Sequence, residues 1–241
     1  MSLHKFVRFS GAAALFSILS SGCATAPDTS TPSAQISVED STLYWNGPID
    51  IPGVEKAAEI FEQYSISAFN VQSHGGNPMA AMQLGYLLHR NNTPLIVSDY
   101  CLEACANYLF TAAPSQSLPD EAIVAWSGGA LEASWTRQWG NYVVPGIRGA
   151  IEKYTDSYLR RETRFFERIG VDQRITFYGY DEHVGCMQDT TIGFYYGPGD
   201  LLSMGLGQTD LHINNWEQRY LNSELEFCKV DLSNRLLLIS D

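Results

Sequence analysis

Short apolar runs alternate with amphipathic helical stretches from residue 41 to residue 126, and this alternation limits the fold more than any other feature. Ser41 to Trp45 reads as a strand and is followed by the turn Asn46-Gly47-Pro48. Val54, Ala57, Ala58 and Phe61 fall at the i, i+3, i+4, i+7 spacing of one helix face, which predicts a helix over 53–64. Ser67 to Gln72 is a second strand, leading into Ser73-His74-Gly75-Gly76-Asn77-Pro78. Ala80, Leu84, Leu87 and Leu88 mark a second helix, with Pro78 in its first turn, where proline is tolerated. Leu95 to Ser98 and Ala122 to Trp126 are further apolar strands, and the fully apolar stretch 104–112 between them predicts a buried helix. Repeated strand–helix units with short apolar strands imply an α/β fold, in which helices cover a mostly parallel sheet.

A long helix is predicted over 145–169, with Ile147, Ile151, Tyr154, Tyr158, Phe165 and Ile169 on one stripe. Glu162 falls on the same stripe and reads as a partly exposed carboxylate paired with Arg161 or a neighbouring arginine. From residue 172 the composition shifts to Tyr, Gly, Thr and Phe in short alternating segments such as Ile192 to Tyr196, which predicts a β-rich tail.

The beginning of the chain has a different character. Lys5 and Arg8 precede the apolar run Gly11 to Leu19, which matches the core of a secretory signal and is too short to span a bilayer. Ser20, Ser21, Gly22 and Cys23 follow, a pattern similar to a bacterial lipoprotein signal in which the cysteine is lipidated. The leucine of such signals sits one position early here, as Leu19, and plain secretion is the alternative. Residues rich in Ser, Thr, Pro and Ala then read as a flexible tether. The expected division is a signal at 1–22, a tether at 23–41, an α/β domain at 42–171 and a β-rich extension at 172–241. The expected location is the cell envelope, on its periplasmic side, with the membrane as a partner through Cys23.

Cys101, Cys105, Cys186 and Cys228 remain, an even number that favours disulfides in an exported chain. Of the pairings open to them, Cys101 with Cys105 and Cys186 with Cys228 is favoured, because a four-residue spacing across a strand-to-helix turn suits a bridge. No Cys and His lie at zinc-site spacing, and no metal or cofactor is expected. A net charge of −12 argues against a nucleic-acid partner, which needs a basic surface.

A Gly-Gly pair at the end of a parallel strand frees backbone N–H groups for a substrate oxygen, as an oxyanion hole requires. A tight turn into a buried helix is where a nucleophile is placed, and a residue at the end of the next strand can serve it as a base. Three segments follow that order: Ser73-His74-Gly75-Gly76, Cys101 to Cys105 with Ala106-Asn107-Tyr108, and Trp126-Ser127-Gly128-Gly129. Over residues 42–170 the chain resembles the exported Clp-protease-like, crotonase-fold family. That resemblance implies backbone donors at Gly75 and Gly76, a nucleophilic serine between the two cysteines and a histidine at position 127. Oligomers are common in that family, so a homo-oligomer is compatible with the resemblance.

The departures bear on function. Leu102, Glu103 and Ala104 stand between the cysteines, so the nucleophile's counterpart is Glu103 or Ala104, and neither has a hydroxyl. Ser127 replaces the imidazole with a group that cannot act as a base near neutral pH. The leading reading is therefore a pseudoenzyme that binds a peptide or small acyl ligand without cleaving it. A second reading is an active hydrolase or crotonase-type enzyme using Glu103 or Cys105 with His74. A third is a purely structural envelope protein. His89, His183 and His212 have no metal-like neighbours in sequence and read as ordinary histidines, and Ser73 reads as structural. Tyr178, Tyr180, Tyr195 and Tyr196 suit either a binding face or the core.

Overall fold

The computed structural model describes residues 33–119, 121–130, 148–188, 190–207, 209–211 and 216–233, with 148–155 and 209–211 followed as backbone. The signal at 1–22 and Cys23 lie outside the described residues. The first described strand, β1, spans Gln35–Glu39 and pairs antiparallel with β2, Thr42–Asn46. This corrects the expected tether, which ran to residue 41. Ile36 and Val38 alternate with polar neighbours, and Asp40 and Ser41 both have positive φ, as a two-residue hairpin turn requires.

Beyond that hairpin, every strand pair among the described residues is parallel, as the strand–helix alternation implied. Helix α1 spans Ile51–Gln63, β3 Ala68–Ser73, α2 Pro78–Asn91 and β4 Leu95–Leu102. Asp50 caps α1 by accepting the Gly53 N–H, and Asn77 caps α2 by accepting those of Met79 and Ala80. A π-helical segment, Cys105–Phe110, follows β4. Then come β5 (Gln116–Leu118), β6 (Ile123–Ala125) and the long helix α3 (Arg148–Ile169). The sheet order is β1-β2-β3-β4-β5 and then a strand from the tail, Thr209–Leu211, with β6 paired to the far end of β4. Strand β5 has only three residues and no periodicity of its own, so sequence patterning did not reveal it.

The tail departs from the β-rich expectation. It opens with 3-10 turns at Gln173–Thr176 and Tyr178–Tyr180 and continues with β7 (Gly193–Tyr196), the short helix α4 (Pro198–Ser203) and β8 (Thr209–Leu211). A helical turn α5 (Gln218–Leu221) and β9 (Phe227–Val230) close it. Strand β8 extends the main sheet beside β5, and β7 pairs with β9 in a separate small sheet. The tyrosines pack inward: Tyr195 stacks on Tyr220, and Tyr196 meets Phe194 and Trp126 edge-on. Core packing, rather than a binding face, accounts for them.

The bridges Cys101–Cys105 and Cys186–Cys228 are both formed, with Cα separations of 5.2 and 5.7 Å. The second closes a loop with a sequence separation of 42 residues. Replacing both partners, Cys186→Ala with Cys228→Ala, is expected to lower the unfolding free energy by about 4 kcal/mol on loop entropy. Urea unfolding of the two proteins tests this, and an unchanged midpoint would contradict the stapling of the tail.

Candidate functional site

The site lies where β3, β4 and β6 end on the same edge of the sheet. Register brings these ends together: Ser73 pairs with Cys101, and Leu102 with Ala125. Ser73 is buried, and its hydroxyl accepts the Gly75 N–H at 3.1 Å. The Gly75 N–H is thus taken by the serine, which corrects its expected role as a free donor. Gly76 differs. Ile49 bonds to the Gly75 carbonyl and the Asn77 N–H, and in a parallel bridge of this kind the peptide groups of Gly76 itself turn away from Ile49. Its φ is +141°, and a Cβ there would lie 2.4 Å from the Ile49 carbonyl oxygen, so only glycine fits.

Glu103 forms the corner between β4 and the π-helical segment. Its φ is +50°, a left-handed conformation that costs a non-glycine residue about 1–2 kcal/mol. Backbone bonds hold it there: its N–H donates to Ala125 at 3.0 Å, and its carbonyl accepts the Asn107 N–H at 2.8 Å. Its side chain reaches solvent at the mouth of a cavity of about 370 Å³, whose wall includes Gly76, Ala104, Asn107, Ser127 and Tyr158. Desolvation by its surroundings raises the carboxyl pKa, while His74 pulls it down. His74 is exposed, and its ring lies 4.2 Å from that of Tyr100.

One sequence-predicted group drops out of a nucleophilic role. Cys105 is fully buried and bridged to Cys101, so it offers no thiolate. Ser127 lines the cavity, and its carbonyl accepts the Tyr180 hydroxyl at 2.6 Å. Gly128 follows in a left-handed conformation, with its carbonyl held by the Asn107 amide at 2.8 Å. Among the described residues, no hydrogen bond joins an imidazole to a serine or threonine hydroxyl. His89 ends α2, His183 sits in an exposed turn, and His212 lies outside the described residues. Among the described residues, no cluster of His, Cys, Asp and Glu is arranged to hold a metal ion.

Glu162 contradicts its expected placement. It is fully buried and pairs with no arginine among the described residues; instead it accepts the Tyr108 hydroxyl at 2.6 Å and the Gln173 amide at 2.7 Å. Both of its oxygens also lie 3.1 Å from the Ala130 N–H. Burial raises its pKa, and the bonds from Tyr108, Gln173 and Ala130 oppose that rise. Gly129 allows this approach, since a Cβ there would stand 2.6 Å from the carboxylate. Tyr108 extends the chain to the Tyr158 hydroxyl at 2.5 Å, which brings it to the cavity wall. Periodicity had put Glu162 on an apolar stripe, and that position was the available signal of burial.

A parallel α/β sheet with a glycine-rich cradle at its strand ends is the class this architecture defines. No protein-family model matches the chain, and no curated protein matches it. Solved structures with similar folds include a Pseudomonas aeruginosa protein, 16% identical, with a TM-score of 0.32 over 46% of this chain and 66% of that one. A Streptomyces coelicolor protein described as an enoyl-CoA hydratase is 13% identical, with a TM-score of 0.31 over 58% of this chain and 60% of that one. The chain therefore spans less than two thirds of the length of these two. The 1510-N membrane-bound stomatin-specific protease, in a variant holding a substrate peptide, is 14% identical, with a TM-score of 0.39 over 82% and 94% of the two chains. Likenesses this distant assign no activity to the chain.

The raised carboxyl pKa of Glu103 has a consequence for stability. The folded state holds its proton more tightly than the unfolded chain does, so the group's contribution is full below its ordinary value of 4.5. That contribution is lost as pH rises through the folded value. The stability of Glu103→Gln relative to the natural chain is therefore expected to improve from pH 4.5 upward, as read by urea unfolding across pH. A difference independent of pH would contradict a desolvated carboxyl at this corner.

Proposed function

We propose that this chain is a degenerate member of the Clp-protease-like, crotonase-fold group that binds a ligand at its cradle and does not cleave it. The observation that carries this reading is the corner residue. A carboxylate, Glu103, occupies the strained turn beside Gly76 where a hydrolase needs a hydroxyl or thiolate. Ser127 offers no base across the cavity, and Cys105 is locked in its disulfide. Losing either member of a nucleophile–base pair removes several orders of magnitude in rate. The cavity of about 370 Å³ beside Gly76 supports a binding role over a purely structural one.

We further propose that the protein works in the cell envelope, held to the membrane through Cys23. The signal-like first residues support this, and the two disulfides are compatible with an oxidising compartment. The ligand on this reading is a peptide or a small acyl compound, of a size suited to the cavity.

One observation favours a second reading. His74 acts electrostatically on Glu103, which makes the two a candidate acid–base pair. Assays of the full chain with activated esters, peptides and acyl thioesters distinguish the two readings. The expected result is no turnover above buffer. Turnover that disappears in Glu103→Gln or His74→Ala would overturn the non-catalytic reading in favour of the acid–base pair.

A further inference from the structure

The long helix carries a group of cations that the cavity does not use. Arg160, Arg161, Arg164 and Arg168, four of the chain's 15 Lys and Arg residues, all stand exposed near the end of α3. At about 3.6 residues per turn they gather on one side of the helix, away from the buried Glu162, Phe165 and Phe166. Asp156 and Glu167 are exposed on α3 as well, but they fall on the side turned away from α2. Among the described residues, none of the four arginines has a carboxylate oxygen within 4.0 Å.

Helix α2 continues this surface. The Arg161 guanidinium lies 3.9 Å from the Met79 sulfur, and that of Arg168 sits over the Tyr86 ring, 5.3 Å from its centre. Met79 and Tyr86 are as far apart in sequence as Arg161 and Arg168, so the two helices run side by side in the same direction. No Asp or Glu occurs anywhere in α2, which ends in the exposed His89 and Arg90. Met79, Tyr86 and Leu87 are half-buried along it. The face thus combines unpaired arginines with partly exposed apolar side chains and lacks carboxylates on its α2 half, in a chain whose net charge is −12.

We propose that the α2–α3 face rests on an anionic phospholipid surface, with Arg161, Arg164 and Arg168 on the headgroup phosphates. A guanidinium presents paired N–H donors that match phosphate oxygens, and basic side chains near an anionic bilayer each strengthen attachment. Tyr86 and Met79 suit the interfacial layer, where one end of a side chain is apolar and the other wet. The chain's overall negative charge does not prevent this. Screening over about 8 Å at physiological ionic strength removes the repulsion of remote carboxylates, while charges touching the headgroups keep their attraction. This inference goes beyond the cavity's ligand and takes from the reading above only the nearby bilayer, which favours a membrane over an acidic protein as the occupant. Pro78 of α2 and Tyr158 of α3 border this face and also line the cavity, so docking sets the cavity mouth beside the headgroups.

Vesicles test the face directly. The full chain is mixed with vesicles of phosphatidylcholine alone, or of phosphatidylcholine with phosphatidylglycerol, and sedimentation reads the bound fraction. Binding is expected to be about tenfold tighter or more on the anionic vesicles and to weaken as salt is raised. Arg161→Gln, Arg164→Gln and Arg168→Gln combined are expected to remove that preference, whereas Lys at the same three positions retains most of it. Arginine modification by phenylglyoxal, read by mass spectrometry, gives a second measurement on the natural chain. Arg161, Arg164 and Arg168 are expected to react several-fold more slowly on anionic than on neutral vesicles, with the exposed Arg174 unchanged. Equal binding to both vesicles, an unchanged preference in the glutamine variant, or protection of Arg174 instead would overturn the inference. So would loss of the preference in millimolar inorganic phosphate, which would assign the arginines to a free anion. None of these results bears on lipidation of Cys23 or on turnover, since each compares vesicles that differ only in charge.

Discussion

The carboxylate of Glu162 ties together the parts of the molecule that define the cavity. It projects from α3 and accepts from Tyr108 of the π-helical segment, Gln173 of the first 3-10 turn and Ala130 beyond the end of β6. Removing an ionised carboxylate from water is costly, and only a full set of donors makes it tolerable. Here the donors come from separate stretches of chain, so the charge is stable only when those stretches converge. The same contacts that satisfy Glu162 therefore fix the Gly128–Ala130 loop and the Tyr158 ring, two parts of the cavity wall. Losing one donor to such a buried carboxylate typically costs about 1.5–3 kcal/mol, more than an exposed ion pair contributes.

The opposite wall is fixed by backbone geometry. Glu103 sits at a corner that disfavours side chains, and the sheet holds it there through its bond to Ala125. Strain of this kind persists where surrounding structure over-determines it. The Cys101–Cys105 bridge spans the same corner and removes freedom that the strained turn would otherwise release. Gly75, just past β3, approaches this corner so closely that a Cβ on it would lie 2.9 Å from the Glu103 Cβ. A rigid corner, a glycine edge and a buried carboxyl thus frame one small cavity.

Much of the fold was legible from apolar spacing. The parallel sheet, α1, α2 and the long helix follow from runs such as Val54–Ala57–Phe61 and Leu84–Leu88, which record their own burial. Strand β1 was not, because Ile36 and Val38 are too few to stand out within a Ser- and Pro-rich stretch. The tail misled because its aromatic composition suggests strands, whereas Gln173–Thr176 and Tyr178–Tyr180 are short turns held by tertiary contacts such as Tyr196 to Ile175. At the site, Gly76, Glu103, Cys105 and Ser127 were legible from their order along the chain. The Glu162–Tyr108–Tyr158 chain was not, since its members are far apart in sequence and meet only after folding.

On the proposed reading, a hydrolase-type cradle is retained with its attacking group and its base both replaced. Restoring them tests it most directly. Glu103→Ser combined with Ser127→His would return a hydroxyl to the corner and an imidazole to the facing strand end. Mass spectrometry after treatment with a serine-reactive phosphonate is the readout. The account expects a stoichiometric adduct at position 103 in the double variant and none on the natural chain. An adduct on the natural chain, or a folded double variant that stays unlabelled, would contradict it.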